Sequence, residues 1–576
     1  MTVPLPSETR ARASYKVQEQ PLGTAKHVRI IGIGAGASGI NMVRSLRRGL
    51  TNFEHVIYEK NSKPGGTWHE NKYPGCRCDV PSHNYQFSWR PNPAWSNFCS
   101  PAPEIEKYLD DICHEERMMD TIKTNHQVVS AIWDEQRGVW IVTVRNLESG
   151  TEFDDEANFL VDASGILNNW KWPDIPGLHN FAGDLIHTAR WPEQYEYKNK
   201  RVAVIGNGSS GVQLVPAIQP TVEKLCHFVR TPTWILPPLI MSMKMKEGPA
   251  SKVLAGIEID EAGNFSQAQI ARFRSDPELY RKFIKTIEMD TGGNFPVVLN
   301  GGPVQHFATQ KVREFMTASL RADERLCKAL IPDYPLGCRR MTPAPGYLQS
   351  LQAPNVELYT GGISRIMENR IELASGEVVE VDAIICATGF DTSFVPRFPI
   401  IGRHGNVQDL MAEVPKGYMS CALPGVPNYF TFLGPNGPIG HGSVFTLSEH
   451  IAKYMTGIIR KCQTEGIKSL APTQAAVDDF SEHIASFMPR TSWSSSCRSW
   501  FKGGQDKGAG YVTALHPGSR VHFFHMLETF RGEDWKYVYD RPSGNRFAYL
   551  GNGFSTKELD PTSDSTWYLN ETATYL

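Results

Sequence analysis

The sequence predicts an α/β protein with two doubly wound parallel-sheet domains, the second interrupted by a helical insertion. Three observations carry this. A strand, a glycine loop and a helix follow one another twice, at 27–50 and again at 201–218. The stretch 236–331 reads as helical. The length, 576 residues, exceeds what one hydrophobic core holds, so two or three domains are expected.

The first unit reads HVRIIGIGAGASGINMVRSLRRGL. His27 to Ile33 is a short apolar run, expected as a buried strand, and Ile40 to Leu50 has helical apolar spacing. Between them Gly34, Gly36 and Gly39 form GxGxxG; Glu59 closes the next apolar run, HVIYEK, 25 residues after Gly34. Each part has a task in holding a dinucleotide. The glycines let the backbone approach a pyrophosphate, the helix N-terminus offers it free N–H groups, and the acid takes a ribose hydroxyl pair. The whole is a Rossmann-like pattern for an adenosine dinucleotide without a 2′-phosphate.

The second unit, RVAVIGNGSSGVQLVPAI, repeats the device with Gly206, Gly208 and Gly211. Its next strand, KLCHFVRT, ends in Arg230 and Thr231, and Arg230 stands 24 residues after Gly206. An acid there repels a 2′-phosphate, whereas an arginine pairs with one. The second site therefore reads as a site for NADP and the first as one for FAD. A relay between a resident and a diffusible dinucleotide explains why one chain carries both. Two further strand ends, Ala163-Ser164-Gly165 and Ala387-Thr388-Gly389, place small residues where the chain can cross near a nucleotide. An ordinary strand-to-loop glycine explains each equally well alone.

Two long motifs remain. FAGDLIHTARWP holds Phe181, Gly183, His187, Trp191 and Pro192. KPGGTWHENKYPGCRCDV holds Gly65, Gly66, Trp68, Tyr73-Pro74-Gly75 and Asp79. On these stretches the chain resembles the class B flavoprotein monooxygenases, and within them the Baeyer–Villiger monooxygenases, over about residues 26–550. Cys76 and Cys78 stand where that family varies, and no further ligands stand at metal spacing, so no metal site is expected.

The resemblance implies an FAD-dependent, NADPH-consuming enzyme. It would insert one oxygen atom of O2 beside a ketone carbonyl, through a C4a-peroxyflavin, to give an ester or lactone. The alternative is a flavin-containing monooxygenase acting on amines or sulfides; those relatives usually have Tyr or Phe where Trp191 stands. A peroxide anion needs a fixed positive charge in a site closed to water. An arginine stays protonated at any working pH. In DYPLGCRRMTPAPGYL the resemblance makes Arg340 that catalytic charge, with Asp79 orienting it. It implies FAD contacts from Gly34, Gly36, Ala37, Ser38, Gly39, Glu59, Gly66, Thr67, Trp68, Asp79, Val129 and Asn436, the last beside Gly434 and Pro435. It implies NADP contacts from Gly206, Gly208, Ser209, Ser210, Gly211, Gln213, Arg230, Thr231, Arg339 and Trp500. Phe181, Gly183, His187 and Trp191 would lie on the link between domains, where they serve domain movement rather than proton chemistry.

The organisation follows. An FAD domain is expected from 1–165 and 384–576, an NADP domain from 166–235 and 332–383, and the helical insertion from 236–331. Within it SDPELYRKFIKTIEM has a capping box at Ser275 and Glu278 and one apolar face of Leu279, Phe283, Ile284 and Ile287. The ketone pocket is expected to draw on GPIGHGSVF, at 437–445, and the region of Trp493. Hydrophobic residues make up 41% and charged ones 21%; the net charge of −2 gives no pull toward nucleic acid or an anionic membrane. No run of 18 apolar residues suggests a membrane span, and the polar N-terminus lacks the apolar core of a secretory signal. Eleven scattered cysteines read as reduced thiols of a cytoplasmic protein. A monomer is the default expectation.

Overall fold

The structure is a computed structural model and describes residues 15–245, 248–503, 510–540 and 545–569. The first fourteen residues, part of the N-terminal stretch read above as polar, lie outside it. Two five-stranded, all-parallel sheets form the frame. The first runs Tyr429–Thr431, Phe159–Asp162, Val28–Ile33, Phe53–Tyr58, Ile122–Lys123. The second runs Val356–Tyr359, Lys224–Phe228, Arg201–Ile205, Ala383–Cys386, Asp184–His187. In each, the strand before the glycine loop is central. Ile30, Ile31, Val202, Ala203 and Val204 are fully buried. Central strands of a parallel sheet are covered on both faces, which is why these runs are apolar without alternation.

The glycine loops are built alike. Gly34 has φ +95°, and a Cβ there would sit 2.8 Å from the Ala163 carbonyl oxygen. Gly206 has φ +107°, and its Cβ would sit 2.5 Å from the Ala387 oxygen. The two small-residue strand ends are thus the partners of the two first glycines.

A mixed sheet with His126–Asp134, Val139–Asn146 and Glu152–Ala157 as its antiparallel part covers the first parallel sheet, sharing a core of Ile31, Val56, Val142 and Leu160. The long helix Val444–Glu465 packs against the helix Ala37–Gly49, both feeding a second core through Met42, Leu46, Ile451 and Met455. Two links join the parallel sheets and run side by side. Trp170 bridges Phe390, and the Asp391 N–H donates to Asn169 O at 2.6 Å. The boundary expected at 383/384 falls inside the strand Ala383–Cys386, which pairs with Arg201–Ile205 and so belongs to the second sheet. The boundary moves past Cys386.

The 236–331 segment contains the helices Pro249–Ala255, Gln267–Ser275, Pro277–Gly292, Pro303–Ser319 and Glu324–Leu330, among others. The expected capping box is corrected. Ser275 closes one helix, and Asp276 caps the next, its carboxylate accepting the Leu279 N–H at 2.9 Å. Pro277, which favours the first helical position, fixes that start. Phe283 and Ile287 are buried as expected, with Tyr280 beside them. His83 reaches into this cluster from the first domain. Its ring lies 5.0 Å from Phe265, 5.3 Å from Phe273 and Phe283, and 5.5 Å from Tyr280.

The cysteines bring a second correction. Cys338 and Cys497 form a disulfide, their Cα atoms 6.2 Å apart, while nine cysteines are free. The partners are 159 positions apart, so only the tertiary fold brings them within bonding reach.

Candidate active site

Gly36 heads the helix Ala37–Gly49, and no side chain caps its N-terminus. The first-turn N–H groups, Ala37 and Ser38 included, are left for a ligand. A Cβ on Gly36 would lie 3.5 Å from Gly66 Cα, and Gly66 has φ +53°. The KPGGTW backbone therefore comes against the first loop with no side chain between them. Glu59 is buried, and its two oxygens accept the N–H groups of Ala35 at 2.7 Å and Asn61 at 2.8 Å. Burial raises its pKa, and these two bonds offset part of that rise. Each oxygen keeps a lone pair for a ribose hydroxyl. Trp68 stands edge-on to Tyr85 at 5.5 Å, next to the exposed Thr67. Val129 sits at the bulge between Val128 and Ser130.

Asn436, at φ +63°, has its side-chain amide donating to Val512 O at 2.9 Å and Leu515 O at 3.1 Å. It pins the 512–515 segment and leaves its carbonyl for another partner. At the carboxyl ends of Phe159–Asp162 and Tyr429–Thr431 a cavity opens, walled by Ser164, Gly165, Asp391, Arg397, Gly434 and Pro435. Open α/β sheets bind ligands at that end of their strands.

Arg340 and Asp79 meet in a two-point contact. Arg340 Nε donates to Asp79 Oδ2 at 2.9 Å and Nη2 to Oδ1 at 2.7 Å. The carboxylate raises the guanidinium pKa further. Arg340 keeps 29% of its side-chain surface, so the cation is held yet open on one side. Its Nη1 reaches Ile439 O at 3.5 Å, which brings the 437–445 loop to the pair.

The Tyr-Pro-Gly turn that precedes Asp79 packs on the helix after the second glycine loop. Gly75 has φ +80°, and a Cβ there would be 2.5 Å from Gln213 O. Tyr73 Oη donates to Gln213 Oε1 at 2.8 Å, and Gln213 Nε2 donates to Arg77 O at 3.0 Å. Gln213, expected among the NADP contacts, bonds to this motif and ties the two halves of the site together.

On the other side Gly208 heads the helix Ser209–Ile218, and a Cβ there would meet nothing within 4 Å. Ser209 Oγ lies 3.2 Å from Thr342 Oγ1, and Ser210 follows in the first turn. Arg339 Nη1 donates to Thr231 O at 3.2 Å and Pro232 O at 3.1 Å. Arg230 is exposed at the strand end; partial burial, then the charges of Arg498 and Arg339, press its pKa down. Trp500 is half-buried, 4.7 Å from the Phe501 ring.

His187 is buried, stacked on Trp170 at 4.8 Å. Its Nδ1 accepts the Ala189 N–H at 3.2 Å, so the neutral ring donates from Nε2 to Thr388 Oγ1 at 3.3 Å. Burial lowers its pKa to about 4. The ring thus clips one interdomain link to the other. Phe181 is buried, and a Cβ on Gly183 would lie 2.4 Å from Asp382 O. Trp191 lies edge-on to Tyr195 at 5.7 Å and Tyr197 at 6.1 Å.

Sequence reasoning did not single out Arg520, Glu288, Asn84 or Arg498. Arg520 is buried; its Nη1 lies 2.8 Å from Glu288 Oε1, and its N–H donates to His441 Nε2 at 3.3 Å. Asn84 donates to the other Glu288 oxygen at 2.8 Å. One carboxylate thus joins the helical insertion, the first domain and the C-terminal region. No local pattern marks these residues, because their partners are distant in sequence.

Two uncapped glycine-headed helices, each touched by the segment that leads to Asp79 and its arginine partner, mark an oxidoreductase of the two-dinucleotide class. Residues 33–101 match the NAD(P)-binding Rossmann-like domain family. The chain is 37% identical to the FAD-binding monooxygenase tazF of Aspergillus terreus, over 98% of this chain and 99% of that protein. It is 32% identical to a Baeyer–Villiger monooxygenase of Streptomyces coelicolor, over 90% of this chain and 94% of that one. The crystal structure of cyclohexanone monooxygenase from Rhodococcus sp. Phi1 bound to NADP+ superposes with a TM-score of 0.72 at 26% identity, over 90% of this chain and all of that one. The chain belongs to the flavin-dependent monooxygenases of the Baeyer–Villiger type. Among the described residues no helix is long and apolar enough to cross a membrane.

Proposed function

We propose that this chain binds FAD and NADPH and uses one oxygen atom of O2 to turn a ketone into an ester or lactone. The observation that carries the reading is the Arg340–Asp79 pair, whose aspartate follows the turns that meet the first glycine loop at Gly66 and the helix after the second at Gly75. Both cofactors fit the residues present. The Gly36–Gly66 approach leaves a backbone cradle that side chains would fill, and the open surround of Gly208 leaves a second one. FAD and NADPH together would supply the reducing equivalents and the activation of oxygen.

The chain's own residues do the rest. Glu59 holds a ribose hydroxyl pair with the free lone pairs of its buried carboxylate. Arg230, Thr231 and Arg339 form the end of the second site, where a 2′-phosphate meets guanidinium rather than carboxylate. Arg340 offers a fixed positive charge to an anion developing on the substrate side, and needs no proton transfer to do so. Asp79 keeps the planar guanidinium in one orientation and offsets its charge when no anion is bound. The 437–445 loop, attached to Arg340 through Ile439, walls the ketone side.

The test is an Arg340→Ala variant reconstituted with FAD. It should still oxidise NADPH and lose nearly all ester formation from a ketone that the parent protein converts. Undiminished ester formation by the variant, or a parent protein that takes up no FAD, would overturn the reading.

A further inference from the structure

We propose that Arg498 is a third arginine for the 2′-phosphate of NADP, delivered by the C-terminal segment that bears Trp500 and held in place by the Cys338–Cys497 disulfide. This rests on the NADPH reading above and adds a residue from a distant part of the chain. Each half-cystine is followed directly by an arginine: Cys338 by Arg339 and Cys497 by Arg498. With the Cα atoms 6.2 Å apart, the disulfide holds the backbone segments that carry the two arginines together. Arg339 is already fixed over the end of the second sheet by its bonds to Thr231 O and Pro232 O. Arg498 lies close enough to Arg230 for its charge to act on it, as that of Arg339 does.

The segment has a second anchor. Lys502 is buried, and its ammonium donates to Cys497 O at 2.9 Å and to Ser495 O. The turn carrying Arg498 is thus fastened on both sides, by a covalent bond and by a buried cation on its carbonyls.

Arg230 feels the charges of both Arg498 and Arg339, and among the described residues none of the three has a carboxylate at ion-pair distance. Elsewhere partly exposed arginines do meet carboxylates: Arg201 meets Glu380 and Asp382, and Arg29 meets Glu54 and Asp155. Like charges repel at this range, and a phosphate dianion relieves that repulsion while accepting several N–H bonds. The geometry also couples two events. Arg498 stands two residues before Trp500, so seating the phosphate fixes the segment that places the indole.

The test compares binding of adenosine 2′,5′-bisphosphate with that of 5′-AMP to the full-length FAD-loaded protein by calorimetry. Arg498 is exposed, so Arg498→Gln should fold. One lost charge-assisted contact should weaken the bisphosphate about 10- to 100-fold and leave 5′-AMP within about twofold. Arg498→Lys should recover part of the loss, because it keeps the charge without the fork. A Cys338→Ser, Cys497→Ser double variant should weaken the bisphosphate in the same sense. An Arg498→Gln protein with the parent's preference for the bisphosphate overturns the role of Arg498 and leaves the NADPH reading intact. A parent protein with no preference for the 2′-phosphorylated ligand overturns both.

Discussion

Replacing Asp79 by Asn is the sharpest perturbation of the proposed site. The carboxylate accepts two bonds from Arg340, at 2.9 and 2.7 Å. Asparagine is nearly isosteric but offers one acceptor oxygen, and its NH2 group faces a guanidinium N–H, donor against donor. One charge-assisted bond is lost, worth about 1.5–3 kcal/mol. Arg340 keeps 29% of its side-chain surface, so water takes over part of the lost contact and the lower half of that range applies. The expected result is a fall in kcat/KM for ester formation of about 10- to 50-fold, with NADPH oxidation preserved. The assay is a double-mutant cycle read by product analysis. In an Arg340→Ala background the same Asp79→Asn change should alter the small residual rate by less than about twofold, because its partner is gone. An equal loss in both backgrounds would falsify the idea that Asp79 acts through Arg340.

Other outcomes follow from single features. Gly34→Ala places a Cβ 2.8 Å from Ala163 O at φ +95° and should yield protein that purifies without its yellow cofactor, judged by absorbance after FAD reconstitution. Glu288→Ala leaves the buried Arg520 without its carboxylate and should destabilise the protein by about 3–5 kcal/mol, seen as an earlier unfolding transition in urea. His83 and His227 are buried with pKa values pushed down to about 3 and about 4, so the folded protein keeps them neutral where the unfolded chain protonates them. Their contribution is whole above about pH 6.5 and falls by about 1.4 kcal/mol per histidine per pH unit below it. A His83→Leu variant should therefore show a shallower loss of melting temperature between pH 6.5 and pH 5; an unchanged slope would count against this.

What could be read from the sequence was local. The two glycine loops, their flanking strands and Glu59 lie within short windows, and each has a physical task that fixes its residue type. Asp79 and Arg340 are 261 positions apart, and only the resemblance joined them on paper. The Cys338–Cys497 bond, the Glu288–Arg520 pair and the Gln213–Tyr73 bond had no such help, since each depends on which distant segments pack together. The misplaced helix start shows the local limit. Ser275 and Asp276 are both good caps, and the choice fell to the one whose next residue is Pro277.

The bridged passage at Trp170 and Phe390 has a topological result. A segment that leaves and rejoins a sheet at one place can be lifted out without parting the strands on either side. Phe159–Asp162 and Tyr429–Thr431 remain neighbours whatever happens beyond Asp162. The second sheet is thus a cassette set into the first and joined to it by two neighbouring stretches of chain.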